Sequence, residues 1–81
     1  MIYRKHHLYK VNDNIIEITD ISKTKLVKGV CIYGYYVGAV FKAVQGKGNN
    51  KVRFINKVMP PAKDIVIEHL GHKDKFPEFY L

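Results

Sequence analysis

The chain has no acidic side chain between Asp20 and Asp64, although that stretch contains nine of its fourteen lysines and arginines. The nine cations are Lys23, Lys25, Lys28, Lys42, Lys47, Lys51, Arg53, Lys57 and Lys63. The formal net charge of +7 is therefore concentrated in one region of the sequence. Such a cationic field attracts polyanions, so the charge pattern predicts DNA or RNA as the partner. The alternative is a solvated face that keeps a small protein soluble.

Cysteine and long apolar runs are also scarce. Cys31 is the only cysteine, which excludes a disulfide within the chain and a cysteine-based metal cluster. The longest uncharged run, residues 29–41, is too short and too rich in glycine and tyrosine to span a bilayer of about 30 Å. The charged first residues have no apolar stretch of the signal-peptide type behind them. We therefore expect an intracellular, cytoplasmic protein with no membrane partner.

A length of 81 residues predicts one domain with a thin core, because only roughly 60% of the surface can be buried at this size. A catalytic cleft between two domains is thereby excluded. A hydrophobic content of 47% argues against disorder. We predict a single small β domain over residues 1–81, in which residues 72–81 form a C-terminal arm.

Runs rich in β-branched and aromatic residues predict a mainly β fold. Residues 2–11 and 15–21 are separated by a turn at 12–14, which indicates an N-terminal hairpin. A β-rich stretch over 26–44, a glycine-rich loop at 45–50 and a strand at 51–58 indicate a long central hairpin. Residues 61–70 have helix signals, namely Pro60-Pro61 before them and Gly71 after them. The β-branched run at 65–67 favours a strand instead, so we predict a short C-terminal helix with an extra strand as the alternative.

Alternation along the central hairpin predicts its two faces. The predicted core face contains Val37, Ala39, Phe41, Ala43, Val52, Phe54 and Val58. The opposite face mixes cations with apolar groups, a combination that suits phosphates together with sugar or base surfaces. Its members are the candidate nucleic-acid-binding residues Tyr36, Val40, Lys42, Lys51, Arg53, Ile55 and Lys57. Because most cations are lysine, which binds phosphate as a point charge, we expect non-specific electrostatic binding.

The sequence contains no recognisable catalytic or metal-binding pattern. Gly46-Lys47-Gly48 lacks the spacing of a phosphate-binding loop, and Cys31 is expected to be a buried structural cysteine. The four histidines, His6, His7, His69 and His72, lie near the two ends of the chain. A zinc site would need three or four of them to converge, and we expect surface histidines instead. The prediction is a protein that is not an enzyme and has no cofactor and no metal.

Residues 28–33, Tyr35-Tyr36, Ala39-Val40 and residues 51–55 resemble the strand pattern of SH3-like barrels such as Tudor domains. Residues 20–27, the glycine-rich loop and residues 61–64 are similar to the small basic archaeal chromatin proteins. These resemblances imply a small barrel of about five antiparallel strands whose sheet contacts the DNA minor groove. Lys28 stands where the chromatin proteins carry a DNA-wedging tryptophan, so the resemblance adds Lys28 to the candidate nucleic-acid-binding residues.

The function favoured by the sequence is non-catalytic nucleic-acid binding through a basic β-sheet face. The alternative is a small inhibitor or adaptor, encoded by a virus or mobile element, whose basic surface docks on an acidic or nucleic-acid-binding site of a larger protein partner. In that class the aromatic tail contributes contacts through Phe76, Phe79, Tyr80 and Leu81. A third class, a metal-dependent enzyme, requires convergence of the four histidines.

Overall fold

The computed structural model describes residues 1–47, 52–58 and 64–81. Six strands form one antiparallel sheet in the spatial order β5-β4-β3-β2-β1-β6. The strands are β1 (His7–Val11), β2 (Asn14–Ile21), β3 (Leu26–Tyr33), β4 (Val40–Val44), β5 (Arg53–Phe54) and β6 (Ile67–His72). Two short 3-10 turns follow, at Lys73–Lys75 and Pro77–Tyr80. The mainly β class is confirmed, while closure of the sheet into an SH3-like barrel stays a prediction, because β5 and β6 are its two edges over the described residues.

The predicted N-terminal hairpin is confirmed, with Val11 and Asn14 paired across a two-residue turn. Asn12 has a positive φ of 53°, a conformation that asparagine tolerates and that tight hairpin turns require. The same residue also binds the chain that enters β6. Its backbone N–H donates to the carbonyl of Val66 over 2.9 Å, and its Oδ1 accepts the N–H of Val66 over 2.8 Å. The turn at Asn12 therefore joins β1 to β2 and also holds the segment that leads into β6.

The turn between β3 and β4 packs against the β1–β2 turn. Gly34 has a φ of 121°, and a Cβ placed there would lie 2.6 Å from the Asn14 Oδ1 and from the Asp13 carbonyl oxygen. Asn14 is buried, and its Oδ1 accepts the N–H of Tyr36 over 2.9 Å. Glycine is therefore required at this position both by conformation and by the close approach of the two turns.

One face of the sheet carries the main core. Phe41 and Phe54 meet across β4 and β5 with ring centres 5.5 Å apart, and Ala43 and Val52 are also buried, as the alternation predicted. The prediction was wrong for Val37 and Val58, which are 65% and 89% exposed. They lie in the β3–β4 turn and beyond the end of β5, where alternation no longer applies. The other core residues are Tyr3, Tyr9, Val11, Ile16, Ile18, Val27, Cys31 and Ile65.

The helix predicted at 61–70 is wrong over its described part, and the extra strand given as its alternative is confirmed, because Ile67–His72 is a strand paired antiparallel with β1. The β-branched residues before it are poor helix formers, and β1 supplies an edge with backbone groups to pair. Asn12 holds Val66 at the entrance to this strand, as described above. The predicted helix start at Pro60, Pro61 and Ala62 lies outside the described residues.

The C-terminal segment Lys73–Leu81, here called the arm, packs on the face of β1 and β2 opposite the main core. Leu8 and Ile15 are buried on this face. Phe79 lies against Tyr33 with ring centres 5.5 Å apart, and the Tyr80 hydroxyl donates to the Glu17 Oε1 over 2.6 Å. The arm therefore lies against Glu17 of β2 and Tyr33 at the end of β3, whereas Lys28, Lys42 and Arg53 of β3 to β5 are exposed. No described helix has the length and apolar character needed to cross a membrane.

Candidate nucleic-acid interface

Three cations lie side by side on the open half of the second face. The register pairs Lys28 of β3 with Lys42 of β4, and Lys42 with Arg53 of β5. Cross-strand partners point to the same face of a sheet, and all three side chains are exposed. We call Lys28, Lys42 and Arg53 the cationic row. It joins residues that are up to 25 positions apart in the sequence.

Apolar residues flank the cationic row on both sides. Leu26 pairs with Val44 on one side, and Val30 pairs with Val40 on the other. Leu26 is exposed and the three valines are half-buried. An open depression of about 630 Å³ lies at the Leu26 side and is lined in part by the cationic row. The surface therefore alternates apolar, cationic and apolar strips, which is the combination that nucleic-acid surfaces match.

The cationic row is electrostatically costly to the fold, because like charges directly opposite each other on neighbouring strands destabilise a sheet. The ion pairs among the described residues lie elsewhere, where Glu17 meets Lys73 and His6, and Asp74 meets His72. One acid does border the row, since Asp20 pairs with Lys28 from β2. Although Asp20 ends the acid-free stretch in sequence, it is a neighbour of the row in space.

The other candidate residues divide into three groups. Val40 flanks the row, and its carbonyl accepts the N–H of Ile55 over 2.8 Å, so Ile55 begins the turn beside it. Lys57 is exposed in the same turn after β5. Lys51 lies outside the described residues. The assignment of Tyr36 to this face was wrong.

Tyr36 lies on the core side instead. Its ring packs against Phe54 with centres 5.0 Å apart, and its hydroxyl donates to the carbonyl of Val58 over 2.7 Å. The prediction extended the alternation of β4 backwards, whereas Gly34 and Gly38 both have positive φ and the chain turns between them. A turn resets the face to which the next side chain points.

Leu26, Val30 and Val44 were missed by the sequence reasoning. The available signal was alternation along β3 through Lys28, which places Leu26 and Val30 on the same face as the lysine. The sequence reasoning included only Lys28 of β3 among the candidate residues, because only that position followed from the resemblance.

The four histidines converge at the other end of the sheet, which the sequence did not predict. Nδ1 of His7 lies 2.8 Å from Nε2 of His69, and the rings of His72 and His7 have centres 5.5 Å apart. The ring centres of His6 and His72 are 6.3 Å apart. Within the described ranges, no group of three or more histidine, cysteine or acidic residues is arranged to hold a metal ion.

Cys31 is buried, as predicted for a structural cysteine. Burial raises the pKa of its thiol, although hydrogen bonding with the backbone of Tyr33 and Tyr36 acts in the opposite direction. A protonated, enclosed thiol is a poor nucleophile.

Comparison with known proteins gives no family model, no curated protein and no solved structure that matches this chain.

Proposed function

We propose that this protein binds DNA or RNA without catalysis, through the cationic row and the apolar strips beside it. The observation that carries the proposal is the register that places Lys28, Lys42 and Arg53 directly opposite one another on three strands. A sheet gains nothing from like charges in register, and the phosphates of a bound polyanion would compensate the repulsion among them.

The geometry sets the scale of the contact. Neighbouring strands are about 4.8 Å apart, so the row spans about 10 Å, which suits two or three phosphates. Leu26, Val30 and Val40 then face sugar or base surfaces between those phosphates. The row contains two lysines and one arginine, so phosphate contacts dominate and sequence preference is weak.

The finer fold and the location belong to the same proposal. An SH3-like barrel would form if the sheet curves far enough to bring its edges together, and an intracellular, cytoplasmic location would place the protein where nucleic acid is present.

The test is a pair of double variants with the same net charge. Lys28→Gln/Arg53→Gln removes two members of the row, whereas Lys5→Gln/Lys23→Gln removes two exposed turn lysines outside it. Binding to a labelled duplex and to a single strand is measured by fluorescence anisotropy from 50 to 300 mM salt. For the wild type, three phosphate contacts predict a slope of log K against log salt of about −2 to −3.

The row variant is expected to lose about two thirds of that slope, because each lost phosphate contact removes about 0.9 from it. The turn variant is expected to change the slope by much less. Equal losses in the two variants would mean that only net charge matters. Absence of wild-type binding at 50 mM salt would contradict the proposed function altogether.

Protein binding is the second candidate, favoured by the exposed tip of the β3–β4 hairpin. Tyr35 and Val37 are 81% and 65% exposed, and they line an open depression together with Tyr33. A patch of this kind fits the apolar centre of a protein interface. A partner captured after nuclease treatment by the wild type, and lost with Tyr35→Ser/Val37→Ser, would support this function over nucleic-acid binding.

A further inference from the structure

Two histidines, His7 of β1 and His69 of β6, form a hydrogen-bonded pair where these strands meet, and charged side chains surround the pair. His7 Nδ1 and His69 Nε2 are 2.8 Å apart, and their ring planes are inclined by only 16°. At this distance one ring nitrogen must donate a proton and the other must accept it. His7 lies opposite His72 in the register, and Tyr9 lies opposite His69, so the pair joins the two strands.

The pair tolerates one added proton but not two. With one extra proton, one ring still offers a lone pair and the N–H···N bond persists. With two, both nitrogens carry protons, the bond is lost and two positive rings face each other across neighbouring strands.

The charges around the pair oppose the second proton. Burial lowers the pKa of His7 below its ordinary 6.5, and Arg4, His69, His72 and Lys75 lower it further. Tyr9, whose ring centre lies 4.9 Å from that of His69, offers no negative charge near neutral pH.

The remaining two histidines have carboxylate neighbours. Glu17 lies 4.0 Å from His6, and Asp74 lies 3.6 Å from His72. A carboxylate therefore lies beside each of these two rings, although Glu17 also contacts Lys73 and Tyr80. Repulsion on protonation is concentrated at His7 and His69.

We propose that the His7–His69 pair is a proton-sensitive latch that holds β6 and the arm to the sheet at neutral pH and loosens them in mild acid. The unfolded chain takes up a proton on His7 near pH 6.5, whereas the folded chain resists it. The opened form therefore binds more protons below pH 6.5, and the latch weakens as the pH falls through that range. Loosening of the arm would also break its contacts with β2 and β3, in which Tyr80 meets Glu17 and Phe79 meets Tyr33.

The test is amide hydrogen exchange measured by NMR at pH 7.5 and pH 5.0, with a chelator present and with correction for intrinsic exchange rates. The informative amides flank β6. The N–H of Val66 donates to Asn12 Oδ1, and the N–H of Lys73 donates to the carbonyl of His6 over 2.9 Å. The reference is the N–H of Cys31, bonded to the carbonyl of Ala39 between β3 and β4.

Protection of the Val66 and Lys73 amides against hydrogen exchange is expected to fall about five- to tenfold in acid, because a hydrogen bond is lost and a like-charge contact is formed. Protection of the Cys31 amide is expected to change less than about twofold. His69→Gln should remove most of this acid effect, since an amide keeps a hydrogen-bonding group beside His7 but does not titrate. The matched variant His6→Gln should retain it.

Each variant is compared with itself at the two pH values, so a general loss of stability does not mimic the result. A parallel fall at all three amides, or an equal acid effect in wild type and His69→Gln, would overturn the proposal.

Discussion

At the scale of single residues, the neighbouring core tyrosines Tyr3 and Tyr9 differ in the surroundings of their hydroxyl groups. Tyr3 is 2% exposed, and its hydroxyl has no hydrogen-bond partner among the described residues. Burial, followed by the proximity of Tyr9, raises the pKa of Tyr3 to about 12. The hydroxyl of Tyr9 instead accepts the N–H of Arg4 over 2.8 Å and donates to the carbonyl of Ile2 over 3.3 Å.

Tyr3→Phe is therefore expected to raise the free energy of unfolding by about 1 kcal/mol, because it removes an unpaired buried hydroxyl and keeps the ring. Tyr9→Phe, the matched control, should lower it by about 1 kcal/mol, because it leaves the Arg4 N–H without its partner. Urea denaturation at pH 7 measures both. A loss of stability in Tyr3→Phe would show that its hydroxyl is hydrogen-bonded in solution.

Two glycines of the β3–β4 turn also form a matched pair. Both have positive φ, but a Cβ at Gly34 would meet Asn14 and Asp13 at 2.6 Å, whereas a Cβ at Gly38 meets nothing within 4 Å. Gly38→Ala should cost about 1 kcal/mol from backbone conformation alone. Gly34→Ala should cost at least about 2 kcal/mol more, since two turns must separate. Equal unfolding free energies in the two variants would mean that the turns are not in contact.

At the scale of elements, what could be predicted depended on whether a signal was local. The β1–β2 hairpin was predictable because Asn12-Asp13 lies between two β-rich runs. The core positions of Phe41 and Phe54 followed from alternation, which holds while a strand continues. Tyr36 was misplaced because the turn after Tyr33 has its own geometry. The sequence left helix and strand open for the segment that forms β6, with helix favoured, because the β1 edge that pairs with it lies more than fifty residues away in the sequence.

The candidate site shows the same division between local and distant signals. The excess of cations was evident in the sequence, but their alignment into a row depends on the registers of two strand pairs. A one-residue slip in the β3–β4 register would place Lys42 on the core side, and a one-residue slip in the β4–β5 register would do the same to Arg53. The convergence of His7 and His69, 62 positions apart, likewise follows from the β1–β6 pairing alone.

Asn12 allows an element-scale prediction that separates the two roles of its turn. Asn12→Gly keeps the positive φ of the β1–β2 turn but removes the Oδ1 that accepts the Val66 N–H. Exchange of the Val66 amide should accelerate about fivefold or more, as expected for loss of one hydrogen bond. The Cys31 amide should be unaffected. Unchanged Val66 exchange would mean that the side-chain bond does not help to hold the entrance to β6.

At the scale of the whole molecule, the positive charge that we propose for binding opposes folding. Lys42 has a cation on either side in the cationic row, whereas Lys10 of β1, which is also exposed, is paired with Glu68 of β6. The substitutions Lys42→Glu and Lys10→Glu change the net charge by the same amount. They differ only in the charges that the new carboxylate meets.

Lys42→Glu should raise the free energy of unfolding by about 0.5 to 1 kcal/mol, because it turns two like-charge pairs into opposite-charge pairs. Lys10→Glu should lower it by a similar amount, because it creates a like-charge pair with Glu68. Nucleic-acid affinity should move the other way, falling strongly in Lys42→Glu and little in Lys10→Glu. Urea denaturation and anisotropy titration at 100 mM salt measure the two quantities on the same samples. A gain in stability without a loss of affinity in Lys42→Glu would confirm the register of the row and remove it from the binding site.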